Sequence, residues 1–264
     1  MLKAENLRIT FNPGTPIETR ALQGMSLTIQ EGQFVTVIGS NGAGKSTFLN
    51  AIAGEIMVDA GRILLNEIDV TRIPGWQRAS NVARVFQDPM AGTCEDLTIE
   101  ENLSLAYNRG YSRGLSQAIK PFMKDLFRER LAILGLGLEN RLTDRIGLLS
   151  GGQRQAVSLL MAALQPSKVL LLDEHTAALD PRTAHFVLEL TQKLVAEQKL
   201  TTMMVTHSMK QALEIGERTV MLHQGQVVLD VSGEKRKGMS VSDLLQMFEK
   251  VRGEQVSDDA LLLG

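Results

Sequence analysis

Apolar and polar residues alternate over much of the first part of the chain. Within residues 2–37 this alternation is interrupted by turns rich in glycine and proline, which predicts a β-rich layer of short strands. Further strands are predicted over residues 61–66 and 82–86, and the apolar run of residues 169–172 is typical of a strand buried on both faces. Helix-like stretches separate these strands, so the sequence predicts an α/β fold.

Residues 89–148 show helical rather than strand-like spacing. Thr98, followed by acidic residues, marks a helix start, and apolar residues recur at helical spacing from residue 115 to residue 134. We interpret this region as a helical insertion. Its predicted core positions are Phe122, Met123, Leu126 and Phe127. Its basic residues predict a solvated face, with a basic patch as the alternative (Arg109, Arg113, Lys120, Lys124, Arg128 and Arg130).

The C-terminal stretch from residue 233 predicts one more helix. Ser240 and Asp243 have the spacing of a capping box, and apolar residues follow at helical spacing (Leu244, Leu245, Phe248 and Val251). We expect this helix to pack against the rest of the chain or against a second copy. Residues 257–264 are expected to be frayed.

Composition narrows the class of protein. The chain has 264 residues, 44% of them hydrophobic, and a formal net charge of −2, so its bulk electrostatics do not favour a nucleic-acid-binding protein. Cys94 is the only cysteine, which excludes an internal disulfide. No signal peptide and no apolar run long enough to cross a bilayer is evident. These features indicate a soluble cytoplasmic protein.

The first motif that predicts a functional site is a glycine-rich stretch after the predicted strand 34–38. Its pattern is G-x-x-x-x-G-K-[ST], between a strand and a helix (Gly39, Ser40, Asn41, Gly42, Ala43, Gly44, Lys45, Ser46 and Thr47). Such a loop turns backbone N–H groups toward phosphates, while Lys45 reaches the β- and γ-phosphates and the Ser46 hydroxyl ligates Mg²⁺. The alternative is an ordinary glycine-rich turn. The stretch predicts an ATP or GTP site.

Two later segments also carry groups that suit phosphate chemistry. Ser150, Gly151, Gly152 and Gln153 open a helical run, and this arrangement favours either a second phosphate-binding element or a plain N-cap and turn. Asp173 and Glu174 end the buried strand, so one carboxylate can serve Mg²⁺ through water while the other orients a nucleophilic water.

Two single residues are weaker candidates. Gln87 ends the strand 82–86 and could direct its amide oxygen to a metal or a water, although most such glutamines cap a turn. Phe11 could stack on an adenine or simply pack in the core.

In their order and spacing these motifs resemble the nucleotide-binding subunit of ATP-binding-cassette (ABC) transporters over about residues 2–232. The segments 39–47, 149–153 and 169–174 carry the resemblance, together with Gln87, Asp180 and His207. It implies a P-loop NTPase cassette with a mixed sheet core, an N-terminal antiparallel β layer and a helical insertion. It also implies ATP and Mg²⁺ as cofactors.

The resemblance further implies a role for each site residue. Two copies close head to tail, with ATP between the loop 39–47 of one copy and residues 150–153 of the other. Glu174, His207 and Lys45 are the implied catalytic residues, with Glu174 as the general base and His207 at the γ-phosphate. Ser46, Asp173 and Gln87 serve the metal, Phe11 lies under the adenine, and Asp180 belongs to the nucleotide-binding set.

The implied organisation has four parts: residues 1–88 and 149–232 form the ATP-binding core, 89–148 a helical signature subdomain and 233–264 a C-terminal extension. The implied partners are a second copy, an integral membrane permease and an extracytoplasmic substrate-binding protein, with no nucleic acid. The chain is then peripheral on the inner face of the cell membrane.

One departure from the family pattern is His175, where proline is usual. It is either a tolerated loop residue or a source of an extra polar contact near Glu174. The form with His175 resembles a bacterial subgroup of importers for amino acids, with tryptophan among the candidate solutes. The alternative function is a soluble ABC-type ATPase without a permease, acting in repair, translation or enzyme assembly.

Overall fold

The computed structural model describes residues 1–111 and 117–250, which form two sheets and the helices packed on them. The strands are β1 Leu2–Phe11, β2 Thr19–Ile29, β3 Phe34–Gly39, β4 Ala60–Leu65, β5 Ile68–Asp69, β6 Val82–Val85, β7 Val169–Asp173, β8 Thr202–Val205, β9 Arg218–His223 and β10 Gln226–Ser232. The helices are α1 Lys45–Ala53, α2 Gly75–Arg78, α3 Ile99–Tyr107, α4 Pro121–Ala132, α5 Gly151–Ala163, α6 Pro181–Gln198, α7 Met209–Glu214 and α8, residues 241–250.

The two sheets have the organisation that the family resemblance implies. The N-terminal sheet, in the order β2-β1-β4-β5, is antiparallel, and its alternating burial matches the alternating sequence. The larger sheet has the order β10-β9-β3-β8-β7-β6; its strands are parallel from β9 to β6, and β10 is antiparallel. An α/β fold with a mixed sheet and a separate antiparallel layer is therefore confirmed.

The mixed sheet lies between two hydrophobic cores because neighbouring residues of its central strands point to opposite faces. Leu171 belongs to the core that joins the antiparallel layer and α1, where it packs in one cluster with Phe48. Leu172 belongs to the other core, which contains the helical insertion and α5. The uninterrupted apolar run in β7 is explained by burial on both faces.

The helical insertion confirms one predicted helix start and corrects another. Thr98 caps α3 at the predicted helix start, and its reciprocal hydrogen bonds with Glu101 form a capping box. Helix α4 begins at Pro121, later than the predicted residue 115, and residues 112–116 lie outside the described part. Met123 and Phe127 are buried, but Phe122 is 55% exposed, so its assignment to the core was wrong. It lies one position outside the buried i, i+4 stripe.

The predicted solvated face also needs one correction, at Arg109. Its guanidinium donates a hydrogen bond to the backbone oxygen of Ala162 at 3.3 Å, and burial lowers the pKa of Arg109. By contrast, Arg128 pairs with Asp125 on the exposed surface, as expected. Arg113 lies outside the described residues.

Helix α8 packs on the chain's own sheet. Ser240 and Asp243 exchange the hydrogen bonds of the predicted capping box. Leu244 is fully buried in a cluster with Ile38 of β3, and the ring of Phe248 meets that of His223 edge-on. The packing of this helix against the rest of the chain is confirmed, whereas residues 251–264 lie outside the described part. No helix in the described ranges is long and apolar enough to cross a membrane.

Candidate nucleotide-hydrolysis site

The predicted site segments follow four adjacent strands of the mixed sheet. The glycine-rich loop follows β3, His207 follows β8, Glu174 follows β7 and Gln87 follows β6. Because these strands are parallel, all four segments leave the sheet at its carboxyl edge, where α/β folds of this kind bind their ligands. The topology thus brings together groups that are up to 168 residues apart in the chain.

The glycine-rich loop forms an anion site at the start of α1. Gly44 precedes the helix with φ 95°, and no side chain caps the free N–H groups of the first turn. The buried Lys45 donates from Nζ to the backbone oxygens of Gly39 at 2.9 Å and Ser40 at 3.1 Å. Burial lowers the pKa of Lys45, while the carboxylates of Glu174 and Asp173 oppose that shift. Uncapped amides, the helix dipole and this ammonium group suit a phosphate chain.

A cleft of about 350 Å³ lies over this loop. It is lined by residues 41–47, by Phe11 at the end of β1, and by Thr19 and Ala21. Glu174 and His207 line it as well. The cleft therefore combines a phosphate-binding loop, a partly exposed aromatic ring and two groups capable of acid–base chemistry. Stacking of Phe11 on an adenine remains a prediction.

Glu174 and His207 are in direct contact. His207 Nε2 lies 2.7 Å from Glu174 Oε1, and the Glu174 side chain is only 10% exposed. Glu174 has a positive φ of 44°, and its N–H group bonds to the oxygen of Val205 at 3.0 Å. These contacts hold the carboxylate in the cleft beside an imidazole, an arrangement that can position and deprotonate a water.

Asp173 makes an ion pair that the sequence analysis missed. Its Oδ2 accepts a hydrogen bond from Arg84 of β6 at 2.7 Å, and both side chains are nearly buried. The available signal was a lone cation within an otherwise apolar strand.

The oxygen groups near the loop fit Mg²⁺. The Ser46 hydroxyl is exposed in the cleft, and the carboxylate of Asp173 ends β7. Within the described residues no group of three or more acidic, histidine or cysteine side chains forms a complete metal cage. Mg²⁺ suits such a sparse donor set, since it keeps several waters and takes other ligands from phosphates.

Residues 150–153 lie at a second location. Ser150 caps α5, with its Oγ accepting from the Gln153 N–H at 3.3 Å, so the N-cap interpretation is confirmed. Gly152 lies against the start of α6, where an added Cβ would be 2.0 Å from Thr183 Cγ2. Asp180 caps α6, and its hydrogen bonds to Thr183 lower the pKa of the Asp180 carboxyl. The structure groups these residues with one another and not with the cleft lining, and the exposed Gln87 is also outside that lining.

His175 makes a specific buried contact. Its Nε2 is 2.9 Å from Thr191 Oγ1 on α6, and that hydroxyl donates to the oxygen of Val187. The hydroxyl proton is thus already used, so His175 Nε2 carries the hydrogen and donates it. Burial lowers the pKa of His175 to about 4, which keeps the ring neutral near pH 7. The extra polar contact is therefore confirmed, and it ties the segment after Glu174 to α6.

The loop, the lysine and the paired carboxylates at the carboxyl edge of a parallel sheet define a P-loop nucleotide hydrolase. Comparison with known proteins gives the particular family. Residues 22–177 match the family model described as "ABC transporter", and this chain belongs to that family. Its members bind and hydrolyse ATP, and we describe this chain accordingly as an ABC-type ATPase.

Individual relatives agree with this assignment. The chain is 46% identical to a tyrosine transport ATP-binding protein of Clostridioides difficile (strain R20291), with 94% of this chain and 99% of the relative covered. It is 35% identical to the thiamine import ATP-binding protein ThiQ of Shigella sonnei (strain Ss046), covering 76% and 82%. A dimeric ATP-binding cassette, MJ0796, in a post-hydrolysis state with ADP and Pi has a TM-score of 0.76 at 30% identity, covering 90% of this chain and 100% of MJ0796.

Proposed function

We propose that this chain is the ATP-hydrolysing subunit of a bacterial importer, in which closure of two copies around ATP drives solute uptake through a separate permease. The observation that carries the proposal is the contact between Glu174 and His207 over the glycine-rich loop. Transport relatives that match nearly the whole chain support the coupling to a membrane partner.

In this proposal each group in or near the cleft has one task. Lys45 and residues 39–47 hold the phosphates of ATP, and Ser46 and Asp173 hold Mg²⁺, which neutralises charge on the γ-phosphate. Glu174 accepts the proton of the attacking water, and His207 orients Glu174 and donates to the γ-phosphate. Gln87 contacts the metal from the end of β6 once the site is assembled.

Two features support a head-to-tail dimer as the active form. Residues 150–153 and Asp180 are not among the residues that line the cleft, and in the proposed dimer a second copy brings such residues onto the nucleotide. Leu148, two positions before Ser150, is 72% exposed, and closure onto a second copy would cover it. The related cassette MJ0796 is dimeric in its post-hydrolysis state.

Docking to a permease is supported by exposed aromatic residues on the helical insertion and on the neighbouring helix α2. Trp76 on α2, Tyr111 after α3 and Phe122 on α4 are all exposed. The chain brings α2 and the end of α3 together, because an added Cβ at Gly110 would be 2.5 Å from Ser80 Cβ. The rings of Tyr107 and Phe122 lie 6.5 Å apart. Aromatic residues of this kind are enriched at protein interfaces.

The proposal also covers organisation, location and solute. The division into residues 1–88, 89–148, 149–232 and 233–264 is part of it, as is a peripheral position on the inner face of the cell membrane. An extracytoplasmic substrate-binding protein would deliver the solute to the permease. The tyrosine transport relative favours an aromatic amino acid over the other candidate solutes.

The test begins at the gene neighbourhood, where the proposal expects a multi-span permease, and continues with co-expression of the chain and that permease. We expect the two to purify together in detergent and to take up labelled tyrosine or tryptophan into proteoliposomes with ATP. The matched control is Glu174→Gln, which should keep assembly and lose uptake. Stable ATPase activity without any copurifying permease, together with binding to ribosomes or DNA, would instead favour a soluble ABC-type ATPase.

A further inference from the structure

Arg84 is the side chain that connects three segments of the site. It extends from the middle of β6, and its side chain is 11% exposed. Its Nη2 donates to Asp173 Oδ2 at 2.7 Å, and its Nη1 donates to Asn50 Oδ1 at 2.7 Å and to Glu55 Oε2 at 2.6 Å. The carbon at the centre of the guanidinium lies 4.5 Å from the ring centre of Phe86, next to Gln87.

The partners of Arg84 lie on elements that the nucleotide site must hold together. Asn50 is on α1, the helix that begins at Lys45, and Glu55 follows the end of that helix. Asp173 ends β7, directly before Glu174. A planar guanidinium with several fixed donors fixes such partners in direction as well as in distance. Arg84 therefore sets the position of the Asp173 carboxylate relative to α1.

The same contact affects the charge available to a metal ion. Arg84 contributes one positive charge, and Asp173 with Glu55 contributes two negative charges. Arg84 is shared by two carboxylates, so it offsets part of the charge of Asp173 from 2.7 Å, and its own positive charge repels a second cation nearby. A nucleotide brings several negative phosphate charges to the glycine-rich loop, and these outweigh that repulsion.

We propose that Arg84 is a positioning residue that holds Asp173 and offsets part of its charge, so that a divalent cation is taken up at Asp173 only together with a nucleotide. The inference rests on the Mg²⁺ role proposed for Asp173. It assigns Arg84 a task beyond stabilising the sheet, since a purely structural arginine would not control metal binding in the absence of nucleotide.

The main experiment measures Mn²⁺ binding by electron paramagnetic resonance without nucleotide. Wild-type protein should bind Mn²⁺ weakly at this site, and Arg84→Gln should bind it at least about tenfold more tightly, because a unit charge about 5 Å from a divalent cation changes affinity by roughly that factor even at the dielectric constant of water. Arg84→Lys keeps the charge and should resemble wild type. Arg84→Gln combined with Asp173→Asn should lose the gain.

The matched control is Arg62→Gln, which removes the same charge from the exposed pair of Arg62 with Glu5 and should leave Mn²⁺ binding unchanged. No gain in folded Arg84→Gln, an equal gain in Arg62→Gln, or a gain that survives Asp173→Asn would each overturn the inference. If Mg²⁺-dependent ATP hydrolysis by wild type is lost in Asp173→Asn while Arg84→Gln shows no gain, only the role of Arg84 fails. The Mg²⁺ role of Asp173 then stands.

A second measurement does not depend on the folding of Arg84 variants. Glu55 is nearly half exposed, and Glu55→Gln leaves Asp173 as the only carboxylate paired with Arg84. The Mg²⁺ concentration that half-saturates ATP binding should then rise about threefold or more. Glu5→Gln is the control for loss of one negative charge. An unchanged Mg²⁺ requirement in Glu55→Gln would contradict the proposed charge balance.

Discussion

The replacement of Gly44 by alanine tests how the antiparallel layer shapes the nucleotide loop. Gly44 has φ 95°, and a Cβ there would lie 2.5 Å from the backbone oxygen of Ala21 on β2 and 3.1 Å from Leu22 Cδ2. A backbone oxygen within a sheet cannot move aside as a surface side chain can. Gly42, in the same loop, has φ 79° with no atom within 4 Å of an added Cβ, which makes it the matched control.

The expected loss in the free energy of unfolding differs between the two variants because the space around the added methyl group differs. A left-handed backbone costs an alanine about 1–2 kcal/mol at either position. Forcing a methyl group into the occupied space at Gly44 adds about 1–3 kcal/mol. We therefore expect Gly44→Ala to lower the free energy of unfolding by about 2–5 kcal/mol and Gly42→Ala by only about 1–2 kcal/mol.

Urea unfolding followed by circular dichroism measures both variants, with equal m-values as the condition for comparison. Equal losses in the two variants, or a Gly44→Ala loss below about 1 kcal/mol, would refute the idea that β2 fixes the loop. Nucleotide binding by Gly44→Ala should weaken as well, because any relief of the clash moves the first turn of α1.

Three further outcomes are expected. Glu174→Gln should bind ATP within about twofold of wild type yet hydrolyse it about 10²–10⁴-fold more slowly in a steady-state assay, and near-normal turnover would remove Glu174 as the base. Lys45→Met should weaken binding of a fluorescent ATP analogue, and an unchanged dissociation constant would contradict the phosphate contact. Burial lowers the pKa of His175 from 6.5 to about 4, so its contribution to stability is complete above pH 6.5 and is lost as the pH falls toward 4. Between pH 6.5 and pH 5 the free energy of unfolding of the wild type should fall by about 2 kcal/mol because of His175. Urea unfolding at the two pH values measures this fall, and it should be absent from His175→Gln.

Local periodicity was sufficient to predict most strands and the capped helix starts. The alternation in residues 2–37 follows from a sheet with one buried face, and the capping boxes at Thr98 and Ser150 depend on residues three positions apart. The start of α4 was placed too early because helical spacing of apolar residues does not require helical backbone. Proline at residue 121 has no N–H group and disfavours helical backbone at the preceding residue, so the helix begins there.

Local periodicity and capping signals could not predict contacts between residues far apart in the chain. The pairing of Arg84 with Asp173 joins residues 89 positions apart, and only the order of strands makes them neighbours. Arg109 was assigned to solvent because a charged residue in a helical region is normally exposed, whereas here the fold offers it the carbonyl of Ala162. The exposure of the Phe122 side chain likewise depends on how α4 packs against α3, which local spacing does not determine.

Because Leu244 packs against Ile38, the C-terminal helix α8 supports β3, the strand that leads into the glycine-rich loop. Ile38 immediately precedes the glycine-rich loop, and the leucine fills space behind it together with Met221. A protein that bound or displaced this helix would therefore reach β3 from the face opposite α1. Shortening the chain before residue 244 would uncover Ile38 and loosen the support of the loop itself.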